Sequence, residues 1–386
     1  MHAKLIEDRR LWNQFVAADP TGHITQTYEW PEHQGAEAAN GSLRAGVVDE
    51  RGGLLAAILL VRSRAQGVPA PFFYAPRGPV CADPGSPALP LLVDFVRHEA
   101  KKRGAFMIRA EPNVPQDNAA WAAALPRLGF RPTNHQIYLR GSWVTDIAGS
   151  EADILAAMSP SWRRYIRGGA KNGMTIRQGS GEADLDAFYR LLVETGTRDG
   201  FHLYPKELFR EMLAHYSAEA AARDATAEMA LYLGEHEGQL ASALTVAVLG
   251  EWAWYLHGAS SDRPEHRKLR PNHPLQWEAM RWAKARGAKY YDWRTIPDKL
   301  EPGEDLYGVY LFKRGFGGYE RRVLPTQDLV LRPALYWPYT AAVSLRRAVQ
   351  ERKRRSARAH TRDVTSNPDA EAGEEAKAGA SAPGPA

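Results

Sequence analysis

A single cysteine, Cys81, excludes an internal disulfide and any zinc site built from several thiolates. No apolar run approaches the length that crosses a bilayer. The opening Met1-His-Ala-Lys-Leu-Ile-Glu-Asp-Arg-Arg10 also lacks the apolar centre of a secretion signal, so a cytoplasmic protein is expected. Charge of one sign is scarce too: 50 Lys and Arg against 45 Asp and Glu leave +5, so placement matters more than the total. Tryptophan, by contrast, is plentiful at 11 residues, which suits large cores and sites that bind sugars, peptides or bases. With 386 residues, 44% hydrophobic and 25% charged, the chain has the make-up of a soluble globular protein long enough for two cored domains.

An internal echo organises the chain. Gly46 to Val61 and Leu231 to Val246 each read as a β-hairpin with glycine in the turn. Each is followed by a strand candidate, Phe72–Ala75 and Trp252–Leu256, and then by an amphipathic helix, about 89–103 and 274–286. Both helices close on the same tripeptide, Arg103-Gly104-Ala105 and Arg286-Gly287-Ala288, with glycine where a helix end needs it. A further strand follows in each, Phe106–Arg109 and Lys289–Trp293, and then a helix that meets Gly-Phe at Gly129-Phe130 and Gly315-Phe316. Two copies of one α/β unit are therefore expected, residues 1–146 and 147–331. Their element order resembles the N-acyltransferase (GNAT) fold in tandem.

Between the copies lies a basic helical stretch, Ser161 to Lys171, with further helices expected at 185–194 and 206–216. A basic helix over 332–354 is expected to pack back on the first domain. From Ser356 the Ala, Glu, Gly, Ser and Pro composition predicts disorder to residue 386.

The segment Leu306-Tyr-Gly-Val-Tyr-Leu-Phe-Lys-Arg-Gly-Phe-Gly-Gly318 sets Lys313 among Tyr307, Tyr310, Phe312 and Phe316. A cation where water is scarce grips an oxyanion far more strongly than one on an open surface. The glycines allow a sharp turn or close backbone approach to a ligand. A glycine-capped helix end with a snorkelling lysine is the plainer alternative.

Coenzyme A, the usual partner of a GNAT fold, rests its pyrophosphate on amides of a glycine-rich turn. The corresponding segment, 258–272, has no glycine after Gly258, and Pro264 and Pro271 remove donors. The first copy, 75–87, is equally rich in proline. Neither looks built for that ligand.

Several signatures converge on one family: Tyr74-Ala-Pro-Arg-Gly-Pro-Val80, Arg164-Tyr-Ile-Arg167 with Ala170-Lys171-Asn-Gly173, His257-Gly-Ala-Ser-Ser261, Leu269-Arg-Pro-Asn272, Gly287-Ala-Lys-Tyr-Tyr-Asp292 and Phe312-Lys-Arg-Gly-Phe-Gly317. The chain resembles the Fem family of non-ribosomal peptidyltransferases, which build interpeptide bridges in bacterial peptidoglycan. The resemblance implies transfer of an amino acid from aminoacyl-tRNA to the side-chain amine of a stem peptide. The acceptor would be UDP-MurNAc-pentapeptide or a lipid-linked precursor, held between two GNAT-like domains. It implies a reacting centre at Phe312 and Lys313, no metal and no organic cofactor beyond the aminoacyl-tRNA co-substrate. A monomer is expected in the cytoplasm, including the inner face of the plasma membrane. Two departures stand out. The interval Ala170 to Met229 is too short for the long helical arm of some members, and Gln34 stands where the family often has lysine.

The attacking amine must lose a proton, and Glu111, Asp292 and Asp305 are candidate bases, each equally an N-cap or salt-bridge partner. Of these Glu111 is preferred. Arg198 and Tyr255 are expected to hold the acceptor's phosphates or peptide, since an arginine fork suits a diphosphate; a helix-end arginine and a core tyrosine are the alternatives. Arg77, Gln34, Tyr310 and Arg314 complete the expected substrate-binding set. Arg163, Arg164, Arg167 and Lys171 are expected to track tRNA phosphates. The C-terminal basic helix with Trp337 could instead meet an anionic membrane. The rival functions are an acyl-CoA N-acyltransferase and a non-catalytic protein that binds tRNA or cell-wall precursor.

Overall fold

Residues 1–365 except His202 are described by a computed structural model. Fourteen strands are numbered in chain order. They are β1 (His2–Leu5), β2 (Leu43–Val48), β3 (Leu54–Arg64), β4 (Pro71–Ala75), β5 (Met107–Ala110), β6 (Phe130–Pro132) and β7 (Gly141–Asp146). Then follow β8 (Met174–Gln178), β9 (Glu228–His236), β10 (Gln239–Leu249), β11 (Trp252–Ser260), β12 (Tyr290–Thr295), β13 (Tyr319–Arg322) and β14 (Gln327–Val330). They form two seven-stranded sheets, ordered β1-β2-β3-β4-β5-β14-β6 and β13-β7-β12-β11-β10-β9-β8.

The duplication is present. Hairpin β2–β3 in the first sheet corresponds to β9–β10 in the second, and the lone parallel pairs β4·β5 and β11·β12 correspond as well. Helices Ala88–Lys102 and Asn272–Ala285 bridge those pairs and end at Arg103 and Arg286. Gly104 and Gly287 then take positive φ, +77° and +88°, as the shared Arg-Gly-Ala predicts.

The division at residue 146 is less simple than the repeat suggests. β7 precedes that boundary yet lies in the second sheet, between β12 and β13. β14 lies in the first sheet, between β5 and β6. Each sheet thus takes a strand from the other copy's stretch of sequence. Arg109 on β5 and Asp328 on β14 fix this exchange through two buried 2.8 Å hydrogen bonds.

A core of its own also joins the halves. Trp12, Ile24 and Trp30 of the first pack with Met212, Tyr216, Met229 and Trp254 of the second. Polar contacts also cross it: the Thr27 and Tyr216 hydroxyls lie 2.8 Å apart, and Thr226 donates to Glu29 at 2.7 Å, while the Trp254 indole N–H is buried without a partner among the described residues. Accordingly Met1–Leu331 forms one compact unit, and the described residues from Arg332 onward form another.

Among the described residues there is no long helical arm; the helices between β8 and β9 are Gly181–Asp199, Lys206–His215 and Ala218–Asp224. In segment 258–272, β11 leads into helix Pro264–Leu269 with Pro264 at its start. The C-terminal helix, expected to close near Arg354, spans Pro333–Thr365. The rest of the tail for which disorder was expected, 366–386, lies outside the described residues. No described helix is long and apolar enough to cross a membrane.

Candidate active site

The second sheet opens where its parallel pair ends. β11 and β12 pair only through Trp254 and Asp292, after which they part. A register shift opposite Thr245 and Val246 leaves Leu256 as an extra residue in β11 and bends that strand. Helix Tyr307–Arg314 brings Lys313 to this opening.

Lys313 is 5% exposed, and its Nζ donates to the Thr295 carbonyl at 2.6 Å. Burial pushes its pKa from the ordinary 10.5 down to about 7; Asp292 opposes the shift and Arg294 adds to it. The aromatic surroundings expected from the sequence are there, though contributed partly by distant residues. Phe312 and Phe316 pack with Trp293, at 6.1 and 4.5 Å between centroids, and His273 stacks on Phe316 at 5.9 Å. The Trp162 indole donates to the Phe312 carbonyl at 3.0 Å.

The glycines after Lys313 serve the protein's own packing. A Cβ at Gly315 would overlap the Trp162 indole, and one at Gly318 would strike the Val144 carbonyl. The Gly317 carbonyl accepts from Trp143 and Thr145 at 2.8 and 3.0 Å, so the turn is bolted to β7.

Two cavities adjoin each other nearby; Lys313 lines neither and reaches the smaller only through its bond to Thr295. The larger, about 620 Å³, lies between the halves of the compact unit; Trp30, His33 and Gln34 come from the first, Leu208, Met212 and His257 from the second. Burial holds His33 and His257 near pKa 3, so both are neutral, and the charged side chains of the groove's lining are Glu207, Glu211 and Arg294. The smaller cavity, about 30 Å³, is lined by Arg77, Arg140, Arg294, Arg321, Asp292 and Thr295 among others. Tyr138 and Arg294 line both.

The remaining candidates divide. Gln34 borders the groove and Arg77 the smaller cavity. Tyr310 is buried against Trp143 at 5.5 Å, and Arg314 is exposed on the same helix. Arg198 borders neither cavity. Its guanidinium is taken by Asp199, at 2.7 and 3.0 Å, and by the Ser260 carbonyl at 2.9 Å. Tyr255 borders neither: it packs on Trp293 at 6.1 Å, its hydroxyl fills the space over Gly258, and burial raises its pKa to about 12.

Glu111 is buried and heavily engaged. It accepts from the Tyr74 hydroxyl at 2.7 Å, the Ile137 amide at 2.6 Å and the Thr326 hydroxyl at 3.1 Å, with the Tyr138 amide at 3.2 Å. A carboxylate so occupied ties β5 to the 137–138 loop and leaves little room for a substrate proton. Asp292, the second candidate base, lines the small cavity beside Thr295, while its Oδ1 accepts from the Arg294 amide at 2.6 Å. Arg163, Arg164, Arg167 and Lys171 border one shallow depression on helix Pro160–Lys171; Arg163 also donates to the Ala156 and Met158 carbonyls. Sequence reasoning missed Arg140, Arg294 and Arg321. Only Arg294 offered a signal, adjoining the candidate Asp292. Among the described residues no group of three His, Cys, Asp or Glu could hold a metal.

Comparison with known proteins agrees with this architecture. Residues 160–307 match the acetyltransferase (GNAT) domain, and residues 8–123 match the FemAB family. The lipid II:glycine glycyltransferase of Staphylococcus saprophyticus is 26% identical over 384 residues, covering 83% of this chain and 91% of that protein. The lipid II:glycine glycyltransferase of Staphylococcus aureus strain MRSA252 is 25% identical with the same coverage. A crystal structure of FemX shares the fold, with a TM-score of 0.78 and 21% identity over 88% of this chain and 100% of that one. Fold and site thus define a protein of tandem N-acyltransferase architecture. Within that class the chain is similar to the FemAB family, over residues 8–123, and to the two glycyltransferases.

Proposed function

We propose that the protein is an aminoacyltransferase that moves an amino acid from aminoacyl-tRNA to the side-chain amine of a peptidoglycan precursor's stem peptide. The observation that carries this reading is Lys313: a buried amine, anchored by Thr295, at the opening where β11 and β12 part. The acceptor lies in the 620 Å³ groove with its amine toward Lys313. Its nitrogen attacks the ester carbonyl, the C–N bond forms, and the C–O bond to the ribose breaks. The amine's proton ends on the departing ribose oxygen. Lys313, as an ammonium, stabilises the negative charge that develops on oxygen, worth roughly 3–4 kcal/mol for a well-aimed donor. Asp292 is better placed than Glu111 to influence the proton, since its field acts on Lys313. The transfer balances without a metal or an organic cofactor.

The basic face of helix Pro160–Lys171 meets the tRNA phosphates, an interaction that weakens steeply with salt. Exposed Trp337 and Leu345 on the basic helix Pro333–Thr365 support peripheral contact with an anionic membrane, where a lipid-linked acceptor would reside. Transfer of labelled amino acid from a panel of charged tRNAs to nucleotide-linked and lipid-linked precursor tests the reading. Transfer to one acceptor is expected. No transfer from any tRNA, together with micromolar binding of coenzyme A, would overturn it in favour of an acyl-CoA enzyme.

A further inference from the structure

The small cavity holds more positive charge than its own residues balance. Arg77, Arg140, Arg294 and Arg321 line it with one carboxylate, Asp292. Each guanidinium is held by neutral oxygens: Arg77 by the Leu139 carbonyl at 2.9 Å, and Arg140 by Val323 at 3.0 Å and the Gln116 amide at 3.2 Å. Arg294 reaches the Leu256 carbonyl at 3.4 Å, and Arg321 the Asn113 side chain at 2.9 Å and its carbonyl at 3.2 Å. These bonds orient the cations without neutralising them. None of the four forms a salt bridge with a carboxylate among the described residues. The neighbourhood responds to that field. His23, half-buried beside them, is held well below its ordinary pKa by desolvation and by Arg77, Arg294 and Arg321.

We propose that this cavity seats a carboxylate of the acceptor, so that the protein recognises an amine whose peptide also bears a free carboxylate close by. Guanidinium forks match a carboxylate's two oxygens, and half-buried cations without a counter-charge favour one strongly. A volume of about 30 Å³ holds one or two water-sized groups, enough for a carboxylate head and too little for a nucleotide. Its position fits as well. Arg77 and Arg294 stand 5.7 and 5.8 Å from the ring centroid of Tyr138, which also lines the acceptor groove. Thr295, whose carbonyl holds Lys313, lines the cavity itself. A peptide in the groove can therefore set an amine near Lys313 and a carboxylate among the arginines. This inference rests on the reading that the acceptor occupies the groove, but not on tRNA as donor.

The test is equilibrium binding of a lysyl-D-alanine peptide, N-acetylated at its N-terminus, as the free acid and as the C-terminal amide. Wild type, Arg140→Gln, Arg321→Gln and Lys313→Ala are compared, with circular dichroism to confirm folding. The acid is expected to bind wild type about tenfold more tightly than the amide. That preference is expected to shrink in whichever arginine variants fold and to persist in Lys313→Ala. Equal binding of acid and amide by wild type, binding of neither, or an undiminished preference in a folded arginine variant would overturn the proposal. So would displacement of the acid by inorganic phosphate at far lower concentration than by acetate, which marks a phosphate seat. No transfer reaction is involved, so a failed transfer assay and a failed binding assay remain distinct outcomes.

Discussion

Lys313 and Thr295 lie 18 residues apart, yet the lysine's Nζ donates to the threonine's backbone carbonyl at 2.6 Å. The bond joins helix Tyr307–Arg314 to the end of β12, where that strand has left β11. It uses one of the three protons an ammonium can donate and leaves the others for a reacting oxygen.

Truncating this side chain should therefore cost rate more than binding. In Lys313→Ala, kcat is expected to fall by roughly 10²–10³, with acceptor KM little changed. Because the pKa lies near 7, the wild-type rate should gain a descending limb just above neutrality, absent from the variant's residual rate. Steady-state kinetics from pH 6 to pH 9 would check both.

Stability should report the same shift. The folded pKa, about 7, lies below the unfolded value, so between pH 7 and about 10.5 the unfolded chain binds more protons. Stability attributable to this group therefore rises with pH across that window and is flat below it. Relative to Lys313→Met, wild type is expected to gain about 2 kcal/mol between pH 7 and pH 9. Urea unfolding at both pH values measures the difference.

The strand exchange makes a separate prediction. Asp328 is fully buried and bonded twice to Arg109, so Asp328→Asn breaks a buried ion pair by removing its carboxylate. A loss of about 3–5 kcal/mol is expected. Denaturation should show it, because both halves share one core and depend on β14 remaining in the first sheet.

Gly315 tests how the helix that carries Lys313 is seated. Its added methyl would meet Trp162, whose indole also holds the Phe312 carbonyl. Gly315→Ala is expected to destabilise by about 1–3 kcal/mol and to lower kcat with it. Pairing it with Trp162→Phe should recover part of the stability, and thermal unfolding of the single and double variants would show whether it does.

Much of this architecture was legible because its signals are local. Repeated hairpins and the Arg-Gly-Ala helix ends mark the duplication, since turn and cap chemistry acts within a few residues. Aromatics within four residues of Lys313 already described a dry setting. The engagement of Glu111 and Arg198 was not legible, because it is not local. Both sit in suggestive motifs, but their partners, Thr326 and Ser260, are distant in sequence.

From the chain alone, then, came two N-acyltransferase-like units, a lysine shielded by its neighbours and a basic helix, because periodicity and punctuation are written residue by residue. Folding alone decided that β7 and β14 change sheets, that four arginines from separated segments share one cavity, and which carboxylate keeps a free edge. The physical reason is reach. Buried charge and hydrogen bonding are settled by partners such as Arg109 and Asp328, 219 positions apart, which no local pattern brings together.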